Sequence, residues 1–288
     1  MFSPYFLLFE LIIYFQLALC LRHACKHGAR NFLRLLAGIF FGISLELATI
    51  RQLKAYAYGQ FLIMIMDVPL CIGVAWSCIL YASMEFSNGS SLPYFARPAL
   101  DSLLALNIDL ALDAVAIRFG FWDWGQGLEF QYFGVPYANF WAWFWVIFFF
   151  SLGYRLFARR RDWAGTWVSP LLALVTGLAG VLGTNALIAF RIPFEYHSLA
   201  AAALLVLAIA LVIALRPKFH LMPVPALTFW IPTLTHLYIL VAGLIAGVVL
   251  DPPFLLLAGF VMLVVSLYLH RPAIRQILSP TAILRSGR

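Results

Sequence analysis

Charge is what this chain has least of. Only 11% of its 288 residues are Asp, Glu, Lys or Arg, against 64% apolar, whereas soluble domains usually carry about 25% charged residues. So little polar surface cannot coat a water-soluble globule, and the chain belongs in lipid. No long polar linker or soluble appendage interrupts it. Its cysteines, Cys20, Cys25, Cys71 and Cys78, include no CxxC pair, so no thiolate metal site is implied. HExxH, DDxxD and GxGxxG are all missing, and His220, His236 and His270 are far apart in the chain. These absences argue against a zinc protease, a di-iron desaturase, a diphosphate-using prenyltransferase and a flavin or nicotinamide redox enzyme. What survives is a reaction without cofactor or metal, run by proton transfer in an apolar pocket.

What the chain does have is apolar runs. Nine can be drawn, at 2–21, 33–50, 60–82, 98–118, 137–156, 167–190, 197–215, 225–249 and 252–270, most near the roughly 20 residues a helix needs to cross a bilayer. All should be helices, since unpaired backbone is not tolerated in lipid. The expectation is an all-α, polytopic membrane protein. It would be a single transmembrane domain over 1–288 with about nine spans, or eight if the fourth, interrupted by Asp101, Asp109 and Asp113, is not one. The first run starts with Met-Phe-Ser-Pro, lacks a positive charge and is broken by Glu10 and Gln16, so a retained helix is expected rather than a signal peptide.

The net charge of +7 would suggest nucleic acid in a soluble protein, but here its distribution says otherwise. With nine spans, 15 of the 19 basic residues fall on one side: Arg22, Lys26, Arg30, Arg34, Arg97, Arg155, Arg159, Arg160, Arg161, Arg216, Lys218, Arg271, Arg275, Arg285 and Arg288. Only Arg51, Lys54, Arg118 and Arg191 fall on the other. The positive-inside rule then predicts a multi-pass protein of the cell membrane with its N-terminus outside and its C-terminus cytoplasmic.

Polar residues are unevenly spread along the runs. No internal repeat is found, which weakens a transporter built of inverted halves. Segments two to five hold Glu46, Asp67, Asp109, Asp113 and Asn139, whereas the later runs are mostly Ala, Leu, Val and Gly. Residues 167–270 therefore read as packing helices, with Gly177, Gly180, Gly183, Gly243 and Gly247 permitting close contact. The expected orientation puts Glu46 near the outer end of helix two, Asp67 in the outer third of helix three and Asp109, Asp113 and Asn139 at similar depth. One shared pocket in the outer half of the membrane would explain that.

Ionisable groups at membrane depth usually mark a site. Asp109 and Asp113 are one helical turn apart and share a face. Like charges that close resist simultaneous ionisation, so one carboxyl should hold a proton and serve as a general acid beside an ionised neighbour. The structural alternative is a helix-end pair bonded to Arg118. Asp101, two turns toward the cytoplasm, is expected at the interface, and Glu10 to be structural or interfacial. Glu46 needs a partner, but Arg51 lies on another face of the helix. Asp67 precedes Val68-Pro69 and either caps a kink or serves the site. Trp122, Trp124, Trp141, Trp143 and Trp145 are five of the nine tryptophans. They form an interfacial belt or a π-rich wall suited to a carbocation, and the same choice applies to Tyr56, Tyr58, Tyr132 and Tyr137. Gly134-Val135-Pro136 breaks the chain and presents Asn139, which fixes a water molecule or caps the helix.

Several stretches carry a resemblance: Leu45-Glu46, Tyr56-Ala-Tyr58, Asp67-Val-Pro69, Ala75-Trp76, Tyr81-Ala-Ser83, Asp109-Leu-Ala-Leu-Asp113, Gly120-Phe-Trp-Asp-Trp124, Tyr132-Phe-Gly-Val-Pro136 and Asn139-Phe-Trp-Ala-Trp143. Spread over roughly 42–145, they resemble the integral-membrane carotenoid biosynthesis protein family, which includes carotenoid 1',2'-hydratases and bisanhydrobacterioruberin hydratase. The chain departs from the family pattern at Ala114, usually Pro, and at Ala142, usually Gly. The resemblance implies cofactor-independent addition of water to the terminal double bond of an acyclic carotenoid, leaving a tertiary alcohol. Asp109, Asp113, Glu46 and Asn139 would be catalytic. Tyr56, Tyr58, Asp67, Trp76, Trp122, Trp124, Tyr132 and Trp143 would bind substrate. Implied partners are the carotenoid, membrane lipid and other carotenoid biosynthesis enzymes, with no nucleic acid and no metal. Cyclisation or isomerisation of the same end group, and a non-catalytic carotenoid-binding protein or transporter, are the alternatives.

Overall fold

Each long apolar run becomes a helix, because in lipid a backbone must satisfy its own polar groups. A computed structural model describes residues 3–54, 56–158, 160, 162–219 and 223–278; the expectations for Arg159, Arg161, His220, Arg285 and Arg288 lie outside the described residues. The helices are α1 (Pro4–Lys26), α2 (Ala29–Ala48), α3 (Leu70–Asn88), α4 (Arg97–Phe119), α5 (Tyr137–Phe157), α6 (Trp163–Phe190), α7 (His197–Ala214), α8 (Leu227–Ala246), α9 (Pro253–Leu269) and a short α10 (Arg271–Leu278). Proline stands in the first turn of α1, α4 and α9, where its missing N–H leaves no gap in the helix. Gly120 and Gly247 end α4 and α8 with φ of +76° each, a left-handed conformation that favours glycine.

Among the described residues, seven helices are long and apolar enough to cross a membrane, or eight if the bent pair α9–α10 is one span. This is a polytopic, all-α membrane protein. The expected count of nine differs because α4, although 23 residues long, carries Asp101, Asp109, Asp113 and two arginines. It lies among α3, α5, α8 and α9 and buries Asp101 and Asp109 completely. α3 and α4 form the centre, whereas α7 and α9 expose Val206, Leu207, Leu257 and Phe260.

The third expected segment is corrected. Residues 60–69 are not helical, since Pro69 is the N-cap of α3. The chain between α2 and α3 instead folds as a loop with two small antiparallel ladders. β1 (Ala57–Tyr58) pairs with β4 (Trp122–Asp123) beyond α4, and β2 (Met64–Ile65) pairs with β3 (Val68–Pro69). Asp67 is therefore not in the outer third of a helix. It is exposed and pairs with Arg51 at 3.3 Å. Asp101 is corrected too: it is buried and paired with Arg155 at 2.9 Å, not interfacial.

Glycine packing also differs from the expectation. Gly177 and Gly180 lie against the rings of Phe41 and Phe149, but Gly183 faces open space and Gly247 is a helix terminus. The close helix–helix approach that bears on the site is α2 against α3. A Cβ on Gly42 would lie 2.8 Å from Trp76 Cβ and 3.0 Å from Gly73 Cα. Gly42→Ala should therefore force the helices apart and lower stability by about 1–3 kcal/mol, the usual cost of overpacking. Gly183→Ala should be near neutral. Thermal unfolding of the two variants in detergent checks this, and equal midpoints would contradict it.

Candidate active site

Glu46 lies in the last turn of α2 and is 4% exposed, and it is surrounded by donors. Trp76 Nε1–H donates to Oε1 at 2.6 Å, Tyr58 OH donates to Oε2 at 2.7 Å, and Tyr56 OH also donates to Oε2. Arg51, which the sequence places on another face of the helix, plays no part and pairs with Asp67. Burial, with the Glu46 carboxyl next to them, pushes the Tyr56 and Tyr58 phenols well above their ordinary range, so both remain donors. An ionised carboxylate offers about four acceptor positions, and these donors leave one open on Oε1.

The loop that carries the tyrosines is anchored on two sides. Gly59 N–H donates to Phe121 O at 2.9 Å beside the β1–β4 ladder. A Cβ on Gly59 would run into the Gly120 carbonyl, so only glycine permits this approach. On the other side, Leu62 N–H donates to Glu10 Oε1 at 2.5 Å, with Tyr14 OH on Oε2 at 3.4 Å. Glu10 is thus a structural tie, as expected. Phe6, Phe9, Phe61 and Phe121 pack edge-on or tilted beneath the loop.

Asp109 and Asp113 share a face of α4 and meet one amide. Asn139 Nδ2 donates to Asp113 Oδ2 at 2.7 Å and to Asp109 Oδ2 at 3.2 Å. The Gly134-Val135-Pro136 break starts α5 at Tyr137 and so puts Asn139 in its first turn. The N-cap residue of that helix is Pro136, and Gln131 Oε1 accepts the Tyr137 N–H, so Asn139 bonds the aspartates in place of capping. Arg118, the alternative partner, bonds the carbonyls of Ala114 and Phe133 at 2.8 Å each.

These groups surround a cavity of about 360 Å³. Of the expected site residues, Glu46, Asp113, Asn139, Tyr56, Tyr58, Trp76, Trp122, Trp124 and Trp143 line it. Asp109 is fully buried behind Asp113 and does not. Asp67 and Tyr132 are not brought to it either, and the Tyr132 hydroxyl donates to Leu110 O at 2.9 Å. Aromatic rings line much of the wall, with Trp76 and Trp143 centroids 4.2 Å apart and Trp124 edge-on to Tyr56 at 4.6 Å.

The lining includes residues of helices expected only to pack. Asn185 of α6 and His197 of α7 both contribute. The amide oxygen of Asn185 and the Trp124 Nε1–H are buried without a partner among the described residues. The signal for Asn185 was present: an amide near the same end of the bundle as Glu46 and Asn139. Gln126, Ala189 and Phe194 are exposed lining residues, so the cavity opens between the loop after β4 and the α6–α7 link. There the Phe130 and Phe194 rings stack 6.0 Å apart.

Glu46→Gln would set an amide N–H against one of these donors. It should lower stability by about 1–3 kcal/mol, the cost of a buried donor left unpaired. Tyr56→Phe removes one of the donors and should cost less, about 0.5–1.5 kcal/mol. Thermal unfolding of the purified variants checks the order; a Tyr56→Phe loss at least as large as that of Glu46→Gln would contradict it.

No curated protein and no solved structure matches the chain. A family profile described as carotenoid biosynthesis protein matches residues 2–209. The match runs well past the 42–145 region where the motifs are concentrated and takes in α6 and much of α7. It spans more than half the chain, and on that ground this membrane-embedded protein belongs to the carotenoid biosynthesis protein family.

Proposed function

We propose that the chain is a carotenoid hydratase that adds water across the terminal double bond of an acyclic end group. The observation that carries the reading is the placement of Asp113. It is the only carboxyl of the α4 pair on the cavity wall, and it shares an amide with the fully buried Asp109. Two carboxyls bonded to each other and to Asn139, with no cation beside them among the described residues, hold one proton between them, because both cannot ionise in a medium of low dielectric. Asp113 then gives that proton to the less substituted carbon of the trisubstituted alkene. The tertiary cation is stabilised by the Glu46 carboxylate and by the faces of Trp76 and Trp143. Water held at the open position on Glu46 Oε1 attacks the cationic carbon. The proton released by that water returns to Asp113, so the enzyme is regenerated and the product has gained one water. Asp109 acts through Asp113 and is a positioning residue.

The cavity volume, about 360 Å³, is near the lower end of small-molecule sites. It suits one end of a long polyene, with the remainder leaving through the mouth beside Phe194. Orientation follows the positive-inside rule, with α4 as a ninth span, the N-terminus outside and this cavity in the outer half. The aromatic lining also suits a cyclase, in which an internal alkene replaces water as nucleophile.

Expression in a host that accumulates lycopene separates these readings. A product heavier by one water is expected. A ring-containing product of unchanged mass would shift the reading to cyclase, and an unaltered carotenoid across several acyclic hosts would shift it to a binding protein. Asp113→Asn should cut turnover by about 10²-fold or more, the usual scale of general acid catalysis, while the protein stays folded and inserted. Asp109→Asn should have the smaller effect. Near-normal turnover in Asp113→Asn would remove it as the acid.

A further inference from the structure

The opposite end of the bundle holds a second, larger cavity of about 800 Å³ that plays no part in the proposed chemistry. The α1–α2 turn, the end of α3, the start of α4, the end of α5 and the start of α6 all reach it, bringing Arg30, Arg34, Arg97 and Arg155 to its lining. Glu85 is the carboxylate in the lining, and Asp101 faces Arg155 from behind at 2.9 Å. Among the described residues, four guanidinium groups against two carboxylates leave the cavity with an excess of positive charge, and arginine does not shed its proton.

These arginines are held in place before any ligand arrives. Arg34 is 3% exposed, pairs with Glu85 through Nη2, and lies 4.3 Å from the centre of the Tyr81 ring and 5.2 Å from that of Tyr154. Its Nε–H has no partner among the described residues, a buried donor left at the inner wall. Arg155 bonds Asn88 Oδ1 at 2.6 Å and Ser87 Oγ at 2.8 Å. Arg30 donates to the carbonyls of Ala158 and Arg160 at the end of α5.

Fixed guanidinium forks match phosphate oxygens. The space is far larger than a lone phosphate ion fills, and helix ends line it, the setting in which basic pockets between helices recognise lipid headgroups. We propose that this cavity binds the phosphate-bearing headgroup of an anionic membrane lipid. The proposal is independent of the hydratase reading.

The test uses the full chain purified in detergent, with phosphatidylglycerol, phosphatidylcholine and inorganic phosphate as probes, read by thermal unfolding and native mass spectrometry. Phosphatidylglycerol should raise the unfolding temperature and stay bound, more so at low salt, and phosphatidylcholine should not. Arg30→Gln and Arg97→Gln should each weaken that binding about tenfold, the loss of one charge-assisted contact. Thr166→Trp should block it by filling the cavity without altering charge, which keeps the test decisive if an arginine variant fails to fold. Equal effects of the two lipids, or wild-type binding in the variants that fold, would overturn the proposal. Inorganic phosphate binding without a preference for phosphatidylglycerol would overturn the lipid assignment.

Discussion

A carboxylate at the depth of Glu46 cannot be left without donors, and much of the architecture around the cavity follows from supplying them. One donor comes from α3 and two from the loop before it. Trp76 reaches Glu46 because α2 and α3 touch at Gly42 and Gly73. The tyrosines reach it because the loop folds back over the bundle, held by β4 on one side and by Glu10 on the other. Hydrogen bonds to a buried carboxyl in a low-dielectric interior are costly to break. The loop is therefore fixed by the carboxylate it covers, and the cavity has a rigid roof.

α4 carries three carboxylates and the bundle answers them in two ways. Asp101 has a guanidinium and a hydroxyl, from Arg155 and Ser151. Removing one partner of such a buried ion pair is strongly destabilising, and the pair joins α4 to α5 at the basic end. Among the described residues, Asp109 and Asp113 have each other and the Asn139 amide as partners but no cation, although Arg118 lies within two turns and spends its donors on backbone carbonyls. Withholding a cation from two adjacent carboxyls makes a poor structural joint. It makes a serviceable proton store, because nothing present fixes both in the ionised state. The difference in partners separates an ion-paired aspartate from the carboxyl pair to which the proposed mechanism assigns the proton.

Helix positions were legible in the sequence because lipid imposes a minimum length and forbids most other structures. The convergence of Glu46, Asp113 and Asn139 was legible through their common depth. The start of the third helix is not legible, because residues 60–66 are apolar enough to read as helix and Pro69, which sets that start, reads equally as a kink. The expected place of Asp67 depends on that start. Asp101 reads as interfacial because its partner, Arg155, is 54 residues away. Asn185 is one amide in an Ala, Leu and Gly run with no spacing pattern, and only its end of the bundle points to it. Pairwise contacts across helices leave no periodic trace, so they were the part the sequence did not display.

The boundary of the family match bears on how the two halves divide their work. Lining residues of the aromatic cavity run from Phe9 to His197, all within the matched 2–209. α8 and α9 lie beyond it and contribute none of the lining. Their polar contacts go to the backs of α1 and α4. Gln16 bonds Ile231 O and Thr235 at 3.1 and 2.9 Å, and Asn107 bonds Met262 O and His236 at 3.0 and 3.1 Å. Asn107 is two residues from Asp109 and on another face of the helix, so these bonds hold α4 from behind while its front face meets Asn139. A carboxyl pair that must keep its distance from a third group needs a helix that does not rotate. α8 and α9 provide that restraint without entering the cavity, which explains how they serve the site while matching the family less than the elements that form it.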